Sequence, residues 1–175
     1  MKNIFISGIH GVGKTTLSKL LSECLGLRHY SCSSLIKQYV EKTDTGKFVS
    51  NIDKNQTLLI KAYNSIRQTE PLILDGHLTL LDKKGKPTPI DSSVFRELDV
   101  GVFILVTDEI ETTLSRLSAR DSLNWNLDYI RAMKELELIT IRKVSKELGV
   151  HLIEYKNNSN IDALIRTLGV FHWTT

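Results

Sequence analysis

The stretch Gly8-Ile9-His10-Gly11-Val12-Gly13-Lys14-Thr15, with Thr16 behind it, lies between an apolar run, Ile4-Phe5-Ile6, and a segment with helical spacing. It fits G-x-x-x-x-G-K-[ST] in the strand-loop-helix context that gives this pattern meaning. Glycines let successive backbone N–H groups converge on phosphate oxygens, and the N-terminus of the next helix adds its partial positive charge. Lys14 reaches the β- and γ-phosphates of ATP in such a cradle, and the Thr15 hydroxyl ligates Mg2+. The donor-binding set read from this stretch is Gly8, His10, Gly11, Val12, Gly13, Lys14, Thr15 and Thr16. Within it, His10 supplies backbone. The competing reading is a glycine-rich turn that binds nothing.

The rest of the chain alternates strand and helix. Residues 2–7 read as a buried strand, and Lys14 to Leu25 as a helix with Leu17, Leu20, Leu21, Cys24 and Leu25 on one face, stopped by Gly26. A short strand at Arg28 to Ser31 leads to Ser33-Ser34, read as the cap of a helix carrying Leu35, Ile36, Tyr39 and Val40. After a polar stretch at Thr43 to Ser50, a helix at Asp53 to Gln68 ends at Pro71, where the apolar run Leu72-Ile73-Leu74 closes on Asp75-Gly76-His77. Asp82 to Asp91, with Lys83, Lys84 and Lys86, reads as a cationic loop: a solvated connector or the rim of an anion site. Val100 to Val106 is the most apolar strand. Asp108 and Glu109 open a helix bearing Arg116 and Arg120 one turn apart, and a long helix at Leu127 to Leu148 presents Ile130, Met133, Leu136, Ile139, Ile141 and Val144. A last strand at His151 to Tyr155 and a helix from Ile161 follow. This alternation predicts an α/β fold with a parallel sheet covered on both faces.

Composition agrees with one ordinary globular domain: 175 residues, 41% hydrophobic, 25% charged and a net charge of +3. The mild positive charge suits a polyanionic ligand without indicating nucleic acid. Cys24 and Cys32 show neither metal-ligand spacing nor a disulfide framework, so they read as reduced thiols of a cytoplasmic protein. No signal-type segment or membrane span is expected.

With these features together, the sequence resembles the P-loop nucleoside monophosphate kinases, most closely the archaeal-type adenylate kinases. Gly8 to Thr16 is similar to that family's phosphate loop. Leu72 to Thr79 is similar to its acidic third-strand ending, with a His two residues after the Asp, and Lys84-Gly85-Lys86-Pro87 to the loop that follows. Val102 to Leu117, with Arg116 near its end, resembles the strand and helix that lead into the lid. The resemblance implies a three-layer P-loop NTPase fold, a five-stranded parallel sheet in the order 2-3-1-4-5 within one domain over residues 1–175. It also implies an acceptor-binding helical insertion at about 32–70 and a lid at about 118–128. Departures fall on the acceptor side. His77-Leu78-Thr79 stands where bacterial-type enzymes have Phe-Pro-Arg, Lys54 is the only cation in Asn51 to Gln56, and Ser122-Leu123-Asn124 lacks an arginine pair.

The chemistry expected is phosphoryl transfer from ATP and Mg2+ to a small acceptor, most closely a nucleoside monophosphate. Such transfer needs cations around a developing charge and exclusion of water. Lys14, Asp75, Arg116 and Arg120 are the candidate catalytic residues, Thr15 and Asp75 the candidate metal ligands, and Ser33, Ser34 and His77 the candidate acceptor contacts. A nucleotide hydrolase or switch, with Glu109 activating water after the Val100 to Thr107 strand, is the alternative from another class. A kinase of a nucleic-acid end or of a non-nucleotide metabolite is a third reading.

Overall fold

The three most apolar runs of the chain lie side by side. The computed structural model describes residues 2–43, 52–67, 69–81, 87–120 and 125–170. In it β1 (Asn3–Ser7) runs parallel to β3 (Leu72–Gly76) on one side and β6 (Val100–Thr107) on the other. β2 (Arg28–Ser31) and β7 (His151–Lys156) close the edges, giving the order β2-β3-β1-β6-β7. Counted within this sheet alone, the order is second, third, first, fourth, fifth, as the resemblance implies.

Both faces of the sheet are covered, which is why its three central strands are near-continuous apolar runs rather than alternating. Ile4, Ile6, Ile73, Val102 and Ile104 pack with α1 (Lys14–Leu25), α5 (Ile110–Arg120) and α7 (Ile161–Val170). Phe5, Leu72, Leu74, Phe103 and Leu105 pack with α2 (Cys32–Thr43), α3 (Ile52–Ile66) and α4 (Ser92–Glu97). On that second face the rings of Phe5, Phe95 and Phe103 meet edge to face at centroid separations of 5.1, 5.8 and 5.5 Å. Each contact of this geometry adds about 0.5–1.5 kcal/mol to the burial of the rings. α6 (Leu127–Leu148) serves both layers, with Ile130 and Met133 on the first and Ile141 and Val144 on the second.

Several local expectations are corrected. The helical face of α1 is narrower than its leucines suggest: Leu17 and Leu21 are buried, whereas Leu20 and Cys24 are exposed. Ser18 takes a buried place on that ridge because its hydroxyl is satisfied by the Lys14 carbonyl at 2.8 Å. α2 begins at Cys32, so Ser33 and Ser34 lie inside its first turn. On α6, Ile139 is 55% exposed while Glu137 and Thr140 are buried, because the helix passes across strand ends whose polar groups need partners. The segment read as a cationic loop has paired ends: β4 (Thr79–Leu81) and β5 (Pro87–Pro89) form an antiparallel hairpin, while Lys83, Lys84 and Lys86 lie outside the described residues. α4 was not foreseen. Its signal was present as Asp91, which caps the helix by accepting from Ser93 N, followed by Val94, Phe95 and Leu98 at core spacing.

Candidate active site at the strand ends

Register sets up the site. Ser7 stands beside Gly76 of β3 and Leu105 of β6, so β1 and β3 leave the sheet together and deliver Gly8 and His77 to the same edge. Gly8 has φ +150°, and a Cβ there would sit 2.6 Å from the Val106 carbonyl oxygen, so no side chain fits. Gly13, at φ +99°, turns the chain into α1 in a left-handed conformation and leaves the helix start without a side-chain cap. The first N–H groups of α1 are therefore not engaged by a capping side chain, the arrangement that binds anions at helix starts. Lys14 is buried, and its ammonium group donates to the carbonyls of Gly8 at 2.7 Å and Ile9 at 2.9 Å, which bends the loop around one charge.

A cavity of about 820 Å3 opens over this loop. The end over the loop is walled by His10, Gly11, Gly13, Lys14, Thr15, Thr16 and Arg116, together with Asn157 and Asn158, which sequence reasoning assigned only to a loop. Asn157 packs against the loop closely enough that a Cβ on Gly13 would lie 3.2 Å from its carboxamide. The opposite end is walled by Ser33, Asn55, Gln56, Asp75 and His77 over an apolar floor that includes Phe5, Ile36 and Leu59. Among the described residues lining the cavity, both Lys and Arg side chains, Lys14 and Arg116, belong to the end over the loop.

Four polar clusters hold the walls. Arg116 Nη1 donates to Asp108 Oδ2 at 2.7 Å, and Asn157 Nδ2 donates to the same oxygen at 3.0 Å. Burial works to raise the Asp108 pKa, but the hydrogen bonds from Asn157, the Glu109 N–H and Arg116 outweigh it and hold the carboxyl below its ordinary value. Asp75, 4% exposed at the end of β3, is bonded to His29 Nε2 through Oδ2 at 2.6 Å. His77 stacks on His10 with ring centroids 4.1 Å apart, and its pKa is pushed well down by burial first, then by the charges of Lys14 and His10. Beneath the loop, Glu137 of α6 accepts from the Ser7 hydroxyl and, at 2.9 Å, from Leu78 N. Burial raises the Glu137 pKa, opposed in part by those bonds and by Lys14.

The expected site residues therefore divide. Lys14, Thr15, Thr16, His10, Gly11, Gly13, Asp75, His77, Ser33 and Arg116 meet at one cavity. Gly8 and Val12 stand behind it: Gly8 supplies the turn and a carbonyl to Lys14, and the Val12 side chain is buried in the core. Ser34 is exposed on α2 and does not line the cavity, because a step of one residue along a helix turns it away from Ser33. Of Arg120 only the backbone, at the end of α5, is described, and residues 121–124 of the expected lid lie outside the described residues, as do residues 44–51 and the Phe171-His172-Trp173 tail. Glu109, the water activator of the alternative reading, is exposed, pairs with Lys156 at 2.6 Å and does not line the cavity. Sequence reasoning passed over His29, Asn55, Gln56, Glu137 and Asn157. A buried Glu on an otherwise apolar helix face was the one signal available for any of them.

Comparison with known proteins gives a consistent family and a divided list of acceptors. A family model described as an AAA domain matches residues 7–134. A cytidylate kinase of Methanobrevibacter smithii is 26% identical, over 94% of this chain and 88% of the relative. A shikimate kinase of Persephonella marina is 30% identical, over 69% of this chain and 70% of the relative. Among solved structures, a shikimate kinase from Acinetobacter baumannii in complex with shikimate superposes with a TM-score of 0.62 at 17% identity, covering 99% of this chain and 96% of that one. No described helix is long and apolar enough to cross a membrane.

Proposed function

We propose that this chain, which belongs to the AAA domain family, is an ATP–Mg2+-dependent kinase that transfers the γ-phosphoryl group to a small acceptor, most closely a nucleoside monophosphate. The observation that carries the reading is the shared cavity. A glycine-rich loop, an uncapped helix start and Lys14 bound one end, and Asp75 and His77 with an apolar pocket bound the other. A hydrolase needs room for one water; a second pocket with its own polar rim is the expectation for a transferase. Similarity to kinases of cytidylate and of shikimate supports transfer to a small molecule and leaves both acceptor classes in view.

The residues fit Mg2+ of the kind that arrives with a nucleotide. Among the described residues no group of three His, Cys, Asp or Glu side chains is placed to hold a metal, whereas Thr15 and Asp75 line one cavity. That sparse oxygen set suits an ion held largely by phosphates and water. When bound, Mg2+ offsets charge on the β- and γ-phosphate oxygens. In this reading the loop N–H groups and Lys14 fix the phosphates, Arg116 faces the transferring group from α5, and Asp75 orients the acceptor or the water shell of the ion. Asn55 and Gln56 rim the acceptor with hydrogen-bonding carboxamides, Ser33 touches it from α2, and His77, held neutral, bounds the same end beside Asp75.

The test is an acceptor panel with purified protein, ATP and Mg2+, scored for phosphorylated product. Nucleoside monophosphates, shikimate and other hydroxylated metabolites form its arms. A phosphorylated product from a monophosphate is the result expected. Release of inorganic phosphate that no acceptor redirects would replace the kinase with a hydrolase, and product only from a non-nucleotide would move the acceptor class.

A further inference from the structure

His29 is a feature that phosphate-loop chemistry does not call for. It lies on the edge strand β2, pairs in register with Ile73, and reaches diagonally to Asp75 two residues further along β3. Strand geometry dictates that reach, since residues two apart share a face and diagonal neighbours lie within range of a long or aromatic side chain. The ring is 13% exposed and the carboxylate 5%, with Nε2 to Oδ2 at 2.6 Å. Asp75 lines the cavity and His29 does not, so His29 stands behind the carboxylate rather than within reach of a ligand.

We infer that His29 is the positioning residue for Asp75: it takes one carboxylate oxygen, Oδ2, so that the other is presented to the cavity that Lys14 and Thr15 share. Without that anchor, an aspartate at a strand end has two rotatable bonds and no fixed direction. A nearly buried carboxylate also needs a hydrogen-bond partner to stay ordered, and His29 supplies it from outside the reacting space. The logic is that of outer-shell residues that orient a ligand without touching it. It rests on the kinase reading for its kinetic part only.

The experiment is a double-mutant cycle with His29→Ala, His29→Gln, Asp75→Asn and His29→Ala/Asp75→Asn, each checked by thermal melting. Two measurements are made on every variant: kcat and KM with the acceptor found in the panel, and calorimetric affinity for ATP with and without Mg2+. His29→Ala is expected to lower kcat about 10- to 100-fold, as loss of an orienting partner does, with KM for ATP within about 2-fold. The double variant should be no slower than Asp75→Asn alone, because both changes disable one unit. His29→Gln, which keeps an N–H donor near the place of Nε2, should regain most of the lost rate. A kcat unchanged in His29→Ala, additive losses in the double variant, or a Gln variant as slow as Ala at equal melting temperature would each overturn the inference. If the wild-type chain phosphorylates nothing, the kinase reading falls alone. His29 is then judged by calorimetry, where Ala and Asp75→Asn must weaken the Mg2+ increment in ATP affinity equally and non-additively, and an undiminished increment in the Ala variant overturns it.

Discussion

The two ends of the cavity are built on different principles. The end proposed to hold the donor is shaped largely by backbone: a loop bent by Gly8 and Gly13, an uncapped helix start, and a lysine gripping two carbonyls of its own loop, with Arg116 and Asn157 beside it. The acceptor end is made of side chains from β3, α2 and α3 over an apolar floor, with Asp75 as its one described charge. Backbone chemistry is the same in every sequence that makes the turn, so an end of this kind binds phosphate whatever the acceptor. Side-chain chemistry differs residue by residue, and specificity resides there.

The largest expected effect tests the donor end alone. Lys14→Met removes the charge and keeps most of the stem; turnover should fall by 10^2- to 10^3-fold or more, with an unchanged circular-dichroism spectrum. Retained turnover would take the loop out of the mechanism and end the contrast. A smaller effect separates the ends: Asn55→Ala or Gln56→Ala should raise KM for the acceptor by about 10-fold, the value of one hydrogen bond, and leave KM for ATP alone. A matching rise in KM for ATP would mean that the two pockets are one. Asp108→Asn weakens the anchor of Arg116 and should lower kcat by several-fold, since half the effect of a charge-assisted bond, about 1 kcal/mol, is at stake. Ser33→Ala should then cost only about 2- to 5-fold in acceptor KM, a neutral hydrogen bond at an exposed helix start, and Ser34→Ala nothing measurable.

Glu137 joins the two ends, because one of its oxygens accepts both from the residue before the donor loop and from Leu78, just past His77. Its carboxyl pKa is raised in the fold, chiefly by burial. An acid raised above its unfolded value contributes stability that is fully present below the unfolded pKa, about 4.3, and is lost as pH rises through the folded value. Glu137→Gln should therefore flatten the loss of stability on that rise while preserving both accepted bonds, as urea melts across pH would register. Glu137→Leu leaves the Ser7 hydroxyl and Leu78 N–H unpaired and should cost about 1–3 kcal/mol for each.

How much of this was legible in the chain follows the same division. The loop could be read because its glycines and lysine are adjacent in sequence, and the sheet because Leu72-Ile73-Leu74 and Val100 to Val106 are apolar on both faces. Helix α1 was right in its ends and wrong in its face: Leu20 and Cys24 look like core until the neighbouring strand decides which ridge is covered. His29, Asn55, Gln56 and Asn157 carried no local pattern at all. They come from β2, α3 and the turn after β7, and are brought to one end of the sheet only through the crossovers of a parallel fold, which sequence spacing does not encode. Arg116 was found but not its partner role with Asp108, since an acidic pair after a strand reads as a helix start, or with Glu109 as a water activator, and neither reading looks for an arginine two turns on.

The placement of β1 between β3 and β6 also orders events during synthesis. β1 and its loop are made before either of the strands that flank β1, whose edges stay bare until residues 72–76 and 100–107 exist. Gly8 is shaped against Val106, the far end of the later of these strands. The nascent chain thus carries Ile4-Phe5-Ile6 with at least one bare edge until β6 has been made, and closing such non-local pairings is slow. In this protein the central strand, made ahead of both its partners, is an element in need of protection from association with other chains before folding is complete.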